Sequence, residues 1–139
     1  MIKLEWSPTF EIGIEKIDAA HRRLFAMANE MREAIEKQDR ELCRARVQAF
    51  IDESEKHFAA EEKYLADVGY AETEEHRGYH TVLLNQAKRL KDVCDEATDD
   101  GTVHGCYAEV MAFLIDDVVR GDHSFKSYLD HLGLTHSTK

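Results

Sequence analysis

Apolar residues recur at spacings of three and four along most of the chain, the period of an amphipathic helix. Ile17, His21, Leu24, Ala28, Met31 and Ile35 fall on one face of a helix predicted over about 18–37, with Asp18 as its N-cap. A second helix, about 40–66, is capped by Asp39 and turns Val47, Phe50, Ser54, His57, Glu61 and Leu65 inward; Gly69 ends that stretch. The third, about 73–96, starts at Thr73 as cap, and its inner face reads His76, His80, Leu83, Ala87, Leu90 and Cys94. A polar turn, Thr98 to Gly101, leads to a fourth helix over about 103–131 with Val110, Phe113, Asp117, Asp122, Phe125 and Leu129 on its face. Short connections make sequential helices antiparallel. The expected fold is therefore all-α: an up-down-up-down four-helix bundle (18–131), preceded by an N-terminal arm (1–17) and followed by a short tail (132–139), in one domain. Pro8 and Gly13 keep the arm from being helical, and Trp6, Phe10, Ile12, Ile14 and Ile17 give it enough apolar surface to pack along the bundle.

Composition fits this picture. One Pro and seven Gly in 139 residues leave few breakers, and 33% charged residues suit long helices with solvated faces. The acidic run Asp52-Glu53-Ser54-Glu55 reads as such a face, with Ser54 turned inward. A net charge of −10 opposes binding to nucleic-acid phosphates or to an anionic membrane surface. There is no apolar run of spanning length and no apolar leader at the start. Cys43, Cys94 and Cys106 are odd in number and form no CxxC pair. Cys94 and Cys106 could meet across a helical hairpin, but reduced, unreactive thiols in a cytoplasmic protein are expected.

The residues that do not belong on apolar faces carry the chemistry. His21, His57, Glu61, His76, His80, Asp117 and Asp122 all fall there, with no inward Arg or Lys to pair with the carboxylates. Burying an ionised carboxylate costs several kcal/mol unless it is paired or binds a metal. His57/Glu61 and His76/His80 are i,i+4 pairs, which places both members on one side of a helix. A donor set of imidazole and carboxylate without thiolate suits iron, manganese or zinc. Seven donors exceed one tetrahedral ion and suit two octahedral ions, with Glu61 and Asp122 bridging. Asp117 and Asp122 are i,i+5, about 140° apart on a regular helix. For both to face the site the helix must widen, and a π-bulge near Val119–Gly121 is predicted. His104, His123, His131 and His136 are expected to be solvated.

With these residues in view, the chain resembles the hemerythrin family in its bacterial single-domain form. The resemblance rests on Trp6, Ile17-Asp18-x-x-His21, His57-Phe58-x-x-Glu61-Glu62, Tyr70, His76-x-x-x-His80, and Phe113-Leu114-x-x-Asp117-Val118-x-x-x-Asp122, over about residues 4 to 129. It implies two iron ions (Fe2+/Fe3+), oxo- or hydroxo-bridged, that bind dioxygen. By motif position, His21 and His57 hold the iron with an open place, His76, His80 and residue 117 hold the other, and Glu61 and Asp122 bridge. Leu24, Phe58, Phe113 and Val118 are the candidates to keep water from the open side. The pattern of the family has His where this chain has Asp117, and usually Trp where it has Phe113.

The resemblance implies a dioxygen carrier, store or sensor rather than an enzyme, working as a monomer without nucleic acid or membrane. Asp117 adds a negative charge that favours Fe(III), so a di-iron oxidase, peroxidase or ferroxidase is the alternative. A metal-responsive signalling module is the third reading.

Overall fold

The computed structural model describes residues 3–135. Its helices are α1 (Glu15–Glu36), α2 (Arg40–Asp67), α3 (Thr73–Glu96), α4 (Asp100–Ile115) and α5 (His123–His131). A π-helical turn, Asp116–Gly121, joins α4 to α5. Ile115, Asp116 and Asp122 keep right-handed helical dihedrals, so α4, the π turn and α5 run on as the fourth helix of the bundle. α1 packs on α2 and α4, and α3 packs on α2 and α4, which closes a ring of four.

Three helix starts differ from expectation. α1 begins at Glu15, so Asp18 lies inside its first turns and is not an N-cap. The Asp18 carboxylate turns back and accepts the N–H groups of Ile12 (2.8 Å) and Gly13 (3.0 Å). Gly13 stands at φ +95°, a conformation that glycine adopts without steric cost, and this sets two successive N–H groups on one carboxylate. Thr73 does not cap α3 either. It is the first helical residue, and its hydroxyl donates to the Tyr70 carbonyl. α4 starts three residues before the expected 103 because Asp99 accepts the Thr102 N–H and nucleates the turn earlier. Asp39 caps α2 as predicted, accepting the Leu42 N–H at 3.0 Å.

The arm lies along the bundle. Leu4 and Asn29 exchange two hydrogen bonds, and Trp6 meets Phe25 edge-on at 5.2 Å. Of the thirteen inward positions predicted on the first three helices outside the ligand set, Leu90 alone is only partly buried. Ser54 is fully buried and donates to the Phe50 carbonyl. Two apolar clusters result. The larger contains Leu24, Phe50, Phe58, Leu83, Val110 and Leu114; the smaller contains Ile12, Ile17, Leu65, Phe125 and Leu129. His21 in α1, Glu61 in α2 and Asp122 after the π turn fall between them.

The cysteines correct the expectation of reduced thiols. Cys94, near the end of α3, and Cys106, in α4, face each other across the short hairpin with Cα atoms 6.1 Å apart and form a disulfide. Helix ends joined by three residues bring the two side chains together, a geometry that spacing along the sequence does not display. Cys43 remains free and buried, and burial pushes its thiol pKa up. Among the described residues no helix is long and apolar enough to cross a membrane.

Candidate metal centre

All seven candidate ligands are buried, and five of them, His21, Glu61, His80, Asp117 and Asp122, are at most 2% exposed. They come from every helix of the ring: His21 from α1, His57 and Glu61 from α2, His76 and His80 from α3, and Asp117 and Asp122 from the π turn and its end. The π turn is what aims the last two. The Asp122 N–H reaches back five residues to the Asp117 carbonyl at 2.8 Å, so one extra residue is absorbed and both side chains face inward.

Two compact groups of donor atoms form: His21, His57, Glu61 and Asp122, and Glu61, His76, His80 and Asp122. Glu61 and Asp122 belong to both. Glu61 Oε1 lies 2.8 Å from His76 Nε2 and 3.2 Å from His80 Nε2, and its Oε2 lies 3.2 Å from His57 Nε2. Asp122 Oδ2 lies 2.6 Å from His21 Nε2, and Oδ1 lies 3.0 Å from His76 Nε2. Asp117 belongs to neither group and stands further back, with Oδ1 3.8 Å from His80 Nε2 and Oδ2 3.9 Å from His21 Nε2.

The electrostatics of this cluster without a cation are unfavourable. Among the described residues no Lys or Arg is buried beside it. Burial, reinforced by Asp122 and Glu61, holds the Asp117 carboxyl well above the usual carboxylate range. Burial acts on Glu61 in the same sense, yet the imidazoles of His57, His76 and His80 beside it outweigh it and hold that carboxyl well below its usual value. Burial would lower the His76 pKa, but Asp122 and Glu61 raise it to about 10; the same two residues raise His57 well above the usual imidazole value. Buried oxygen and nitrogen atoms nonetheless stay without hydrogen-bond partners, among them Glu61 Oε2, both Asp117 oxygens, Asp122 Oδ2, His57 Nε2 and His80 Nε2. Unsatisfied buried polar atoms are rare. Here they converge on one point and carry lone pairs, so the residues fit a cationic metal centre bound by imidazole and carboxylate.

Several supporting residues take roles that the sequence reading did not assign to them. Glu62 accepts a hydrogen bond from His80 Nδ1 at 2.8 Å, although next to Glu61 it reads as a solvated acid. Phe58 stacks on the other side of that imidazole, ring centres 3.9 Å apart. Tyr79 donates to the Asp116 carbonyl and lies against Gly121, where a Cβ would come within 2.5 Å of its ring. His123 is not solvated as expected: it is half-buried, and its Nδ1 donates to the Val118 carbonyl at 2.8 Å. The π turn frees such carbonyls, and the imidazole satisfies one. His104 and His131 are exposed as expected, and His136 lies outside the described residues.

Two clefts approach the cluster. One, about 430 Å³, reaches His76 between Tyr70, Tyr79 and Arg120. The other, about 420 Å³ and lined by Ile14, Ile17, Ala20 and Tyr64, reaches His57 and Glu61.

Comparison with known proteins agrees with the geometry. Residues 12–124 match the family model described as the hemerythrin HHE cation binding domain. The chain is 33% identical over 124 residues to a bacteriohemerythrin of Clostridium acetobutylicum, covering 86% of this chain and 96% of that protein. It is 28% identical over 103 residues to a bacteriohemerythrin of Stenotrophomonas maltophilia, covering 69% and 67%. It is 25% identical over 87 residues to a myohemerythrin of Theromyzon tessulatum, covering 63% and 68%.

Proposed function

The chain belongs to the hemerythrin family, and from that premise we propose that it is a non-haem di-iron protein that binds dioxygen reversibly, as a carrier, store or sensor. The observation that carries the proposal is the convergence of seven buried imidazole and carboxylate side chains, six of which keep a buried polar atom without a hydrogen-bond partner. His21 and His57 would hold one ion, His76 and His80 the other, Glu61 and Asp122 would contribute to both, and Asp117 would be the seventh ligand. The iron pair supplies the electrons that dioxygen takes up on binding.

The chain's own part is to fix the donors and exclude water. Glu62 accepts a hydrogen bond from His80 Nδ1–H and thereby leaves the Nε2 lone pair free to face an ion, while Phe58 holds the ring plane. Leu24, Phe58, Phe113 and Val118 are buried and apolar, and they keep water from the His21/His57 side. Asp117 places one more negative charge in the centre than an imidazole would. Negative charge favours Fe(III), so Asp117 would make a bound iron pair easier to oxidise than His at this position would. Adding dioxygen to the reduced, iron-loaded protein without other oxidants, then removing it, tests the proposal. A new visible absorption that disappears on deoxygenation is expected; no change, or an immediate irreversible ferric spectrum, would reject reversible binding.

The apolar cleft against His57 and Glu61 favours one second reading, a di-iron oxidase acting on a small apolar substrate. Continuous dioxygen consumption with an added reductant and such a substrate would support it over carriage.

A further inference from the structure

The three carboxylates of the cluster divide in the same way. Glu61 Oε1 lies 2.8 and 3.2 Å from the Nε2 atoms of His76 and His80, and Oε2 lies 3.2 and 3.8 Å from those of His57 and His21. Asp122 Oδ1 lies 3.0 and 4.0 Å from His76 and His80, and Oδ2 lies 2.6 and 3.9 Å from His21 and His57. Asp117 repeats the division. Its Oδ1 is 3.8 Å from His80, and its Oδ2 is 3.9 and 4.0 Å from His21 and His57. Nitrogen and oxygen donors sit about 2.1 Å from a first-row ion, so two donors of one ion lie at most about 4.2 Å apart. Every one of these separations is within that limit. Both Asp117 oxygens are buried and lack hydrogen-bond partners, so nothing else in the chain accounts for their placement.

We infer that Asp117 is a third bridging carboxylate between the two ions rather than a terminal ligand of the His76/His80 ion, an inference that rests on the two-ion reading above. An imidazole at this position has one nitrogen to offer and must choose an ion. A carboxylate has two oxygens, and here each faces a different histidine pair. Each ion then receives two imidazole nitrogens and three carboxylate oxygens. Five donors leave one place on each octahedral ion, so the two ions are alike and the open place is not confined to the His21/His57 side.

The test is Mössbauer spectroscopy of the diferrous protein, loaded anaerobically with isotopically enriched ferrous iron, in the unaltered chain and in Asp117→Ala. Two irons per chain giving one quadrupole doublet are expected. In Asp117→Ala the doublet should stay single but change its splitting, with affinity for both irons falling together by about tenfold or more. Asp117→Asn, nearly the same shape, carries the same expectation should the alanine variant fail to fold. Two equal doublets in the unaltered chain would overturn the inference in favour of a terminal Asp117. A splitting and an affinity untouched by both substitutions would overturn it by showing that Asp117 binds no ion. Fewer than two irons in the unaltered chain would instead refute the two-ion reading, and this inference with it.

Discussion

His80 and Glu62 form a hydrogen-bonded pair in which the imidazole Nδ1 meets the carboxylate at 2.8 Å while Nε2 of the same ring faces the buried donor cluster. The arrangement fixes the tautomer that can bind metal. It also uses an acid that Arg77 grips from the solvent side at 3.1 Å, so the whole chain of contacts is held from the surface inward. Glu62→Ala should therefore weaken metal binding by roughly 10–100-fold without unfolding the bundle. Competition for iron with a chelator of known strength measures this; an affinity equal to that of the unaltered protein would show that Glu62 does not orient His80.

Gly121 and Tyr79 set the shape of the π turn. A Cβ at position 121 would come within 2.5 Å of the Tyr79 ring, and that ring is anchored by its hydroxyl to the Asp116 carbonyl. Gly121→Ala should cost about 1–3 kcal/mol through overpacking. Adding Tyr79→Ala, which empties the space, should recover part of the loss. Denaturant unfolding of the single and double variants checks this, and purely additive losses would count against the steric account.

Protons and metal ions compete for the same atoms. In the metal-free chain the His76 pKa is raised from 6.5 to about 10, so its stabilising contribution is complete below about pH 6.5 and is lost as pH rises through about 10. Asp117, also raised, acts in the same direction: the neutral carboxyl favours folding, and this advantage is lost as pH climbs above its usual range and through its folded value. Glu61 is depressed and acts oppositely, its contribution being lost only as pH falls through its lowered value. The metal-free protein should therefore melt at lower temperature at pH 10 than at pH 7, whereas the iron-loaded protein, whose imidazoles are taken, should change little. Loading at neutral pH should release protons, seen as a buffer-dependent binding enthalpy. A metal-free melting temperature constant over this range would contradict the ionisation states described.

The Cys94–Cys106 bond closes a loop of twelve residues around the α3–α4 connection. Closing a loop of that size stabilises by roughly 3 kcal/mol through the unfolded chain. Cys94→Ser should lower stability by about this much while leaving iron stoichiometry unchanged, because both cysteines lie at the bundle end away from the donors. Thiol titration of the unreduced, denatured protein should find Cys43 alone; three reactive thiols would show that the bond does not form.

The sequence was most legible where periodicity and chemistry reinforced each other. His57/Glu61 and His76/His80 repeat once per turn on faces otherwise apolar, and an i,i+5 carboxylate pair can face one point only through a widened turn, so the ligand-bearing faces and the π turn were both readable. Asp18 was less so, since an aspartate at a helix start signals an N-cap whether its carboxylate turns forward onto the helix or back onto an arm. Glu62 stood in a motif, but its role was not readable, because it depends on a ring from another helix 18 positions away. The Cys94–Cys106 pair was foreseen only as a possible meeting, with reduced thiols preferred, because pairing depends on how two helix ends splay across a three-residue connection. Asp117 shows the subtlest limit. Its type and register announce a ligand, but that its two oxygens divide between the histidine pairs is a matter of angstroms.

Anaerobic titration of the metal-free protein with ferrous iron tests the central claim, that the buried donors form a two-iron centre. Two equivalents should bind per chain, and the melting temperature should rise as they do, since the cations relieve the repulsion among Glu61, Asp117 and Asp122. Saturation at one equivalent or fewer, or a melting temperature that is the same with and without iron, would contradict it.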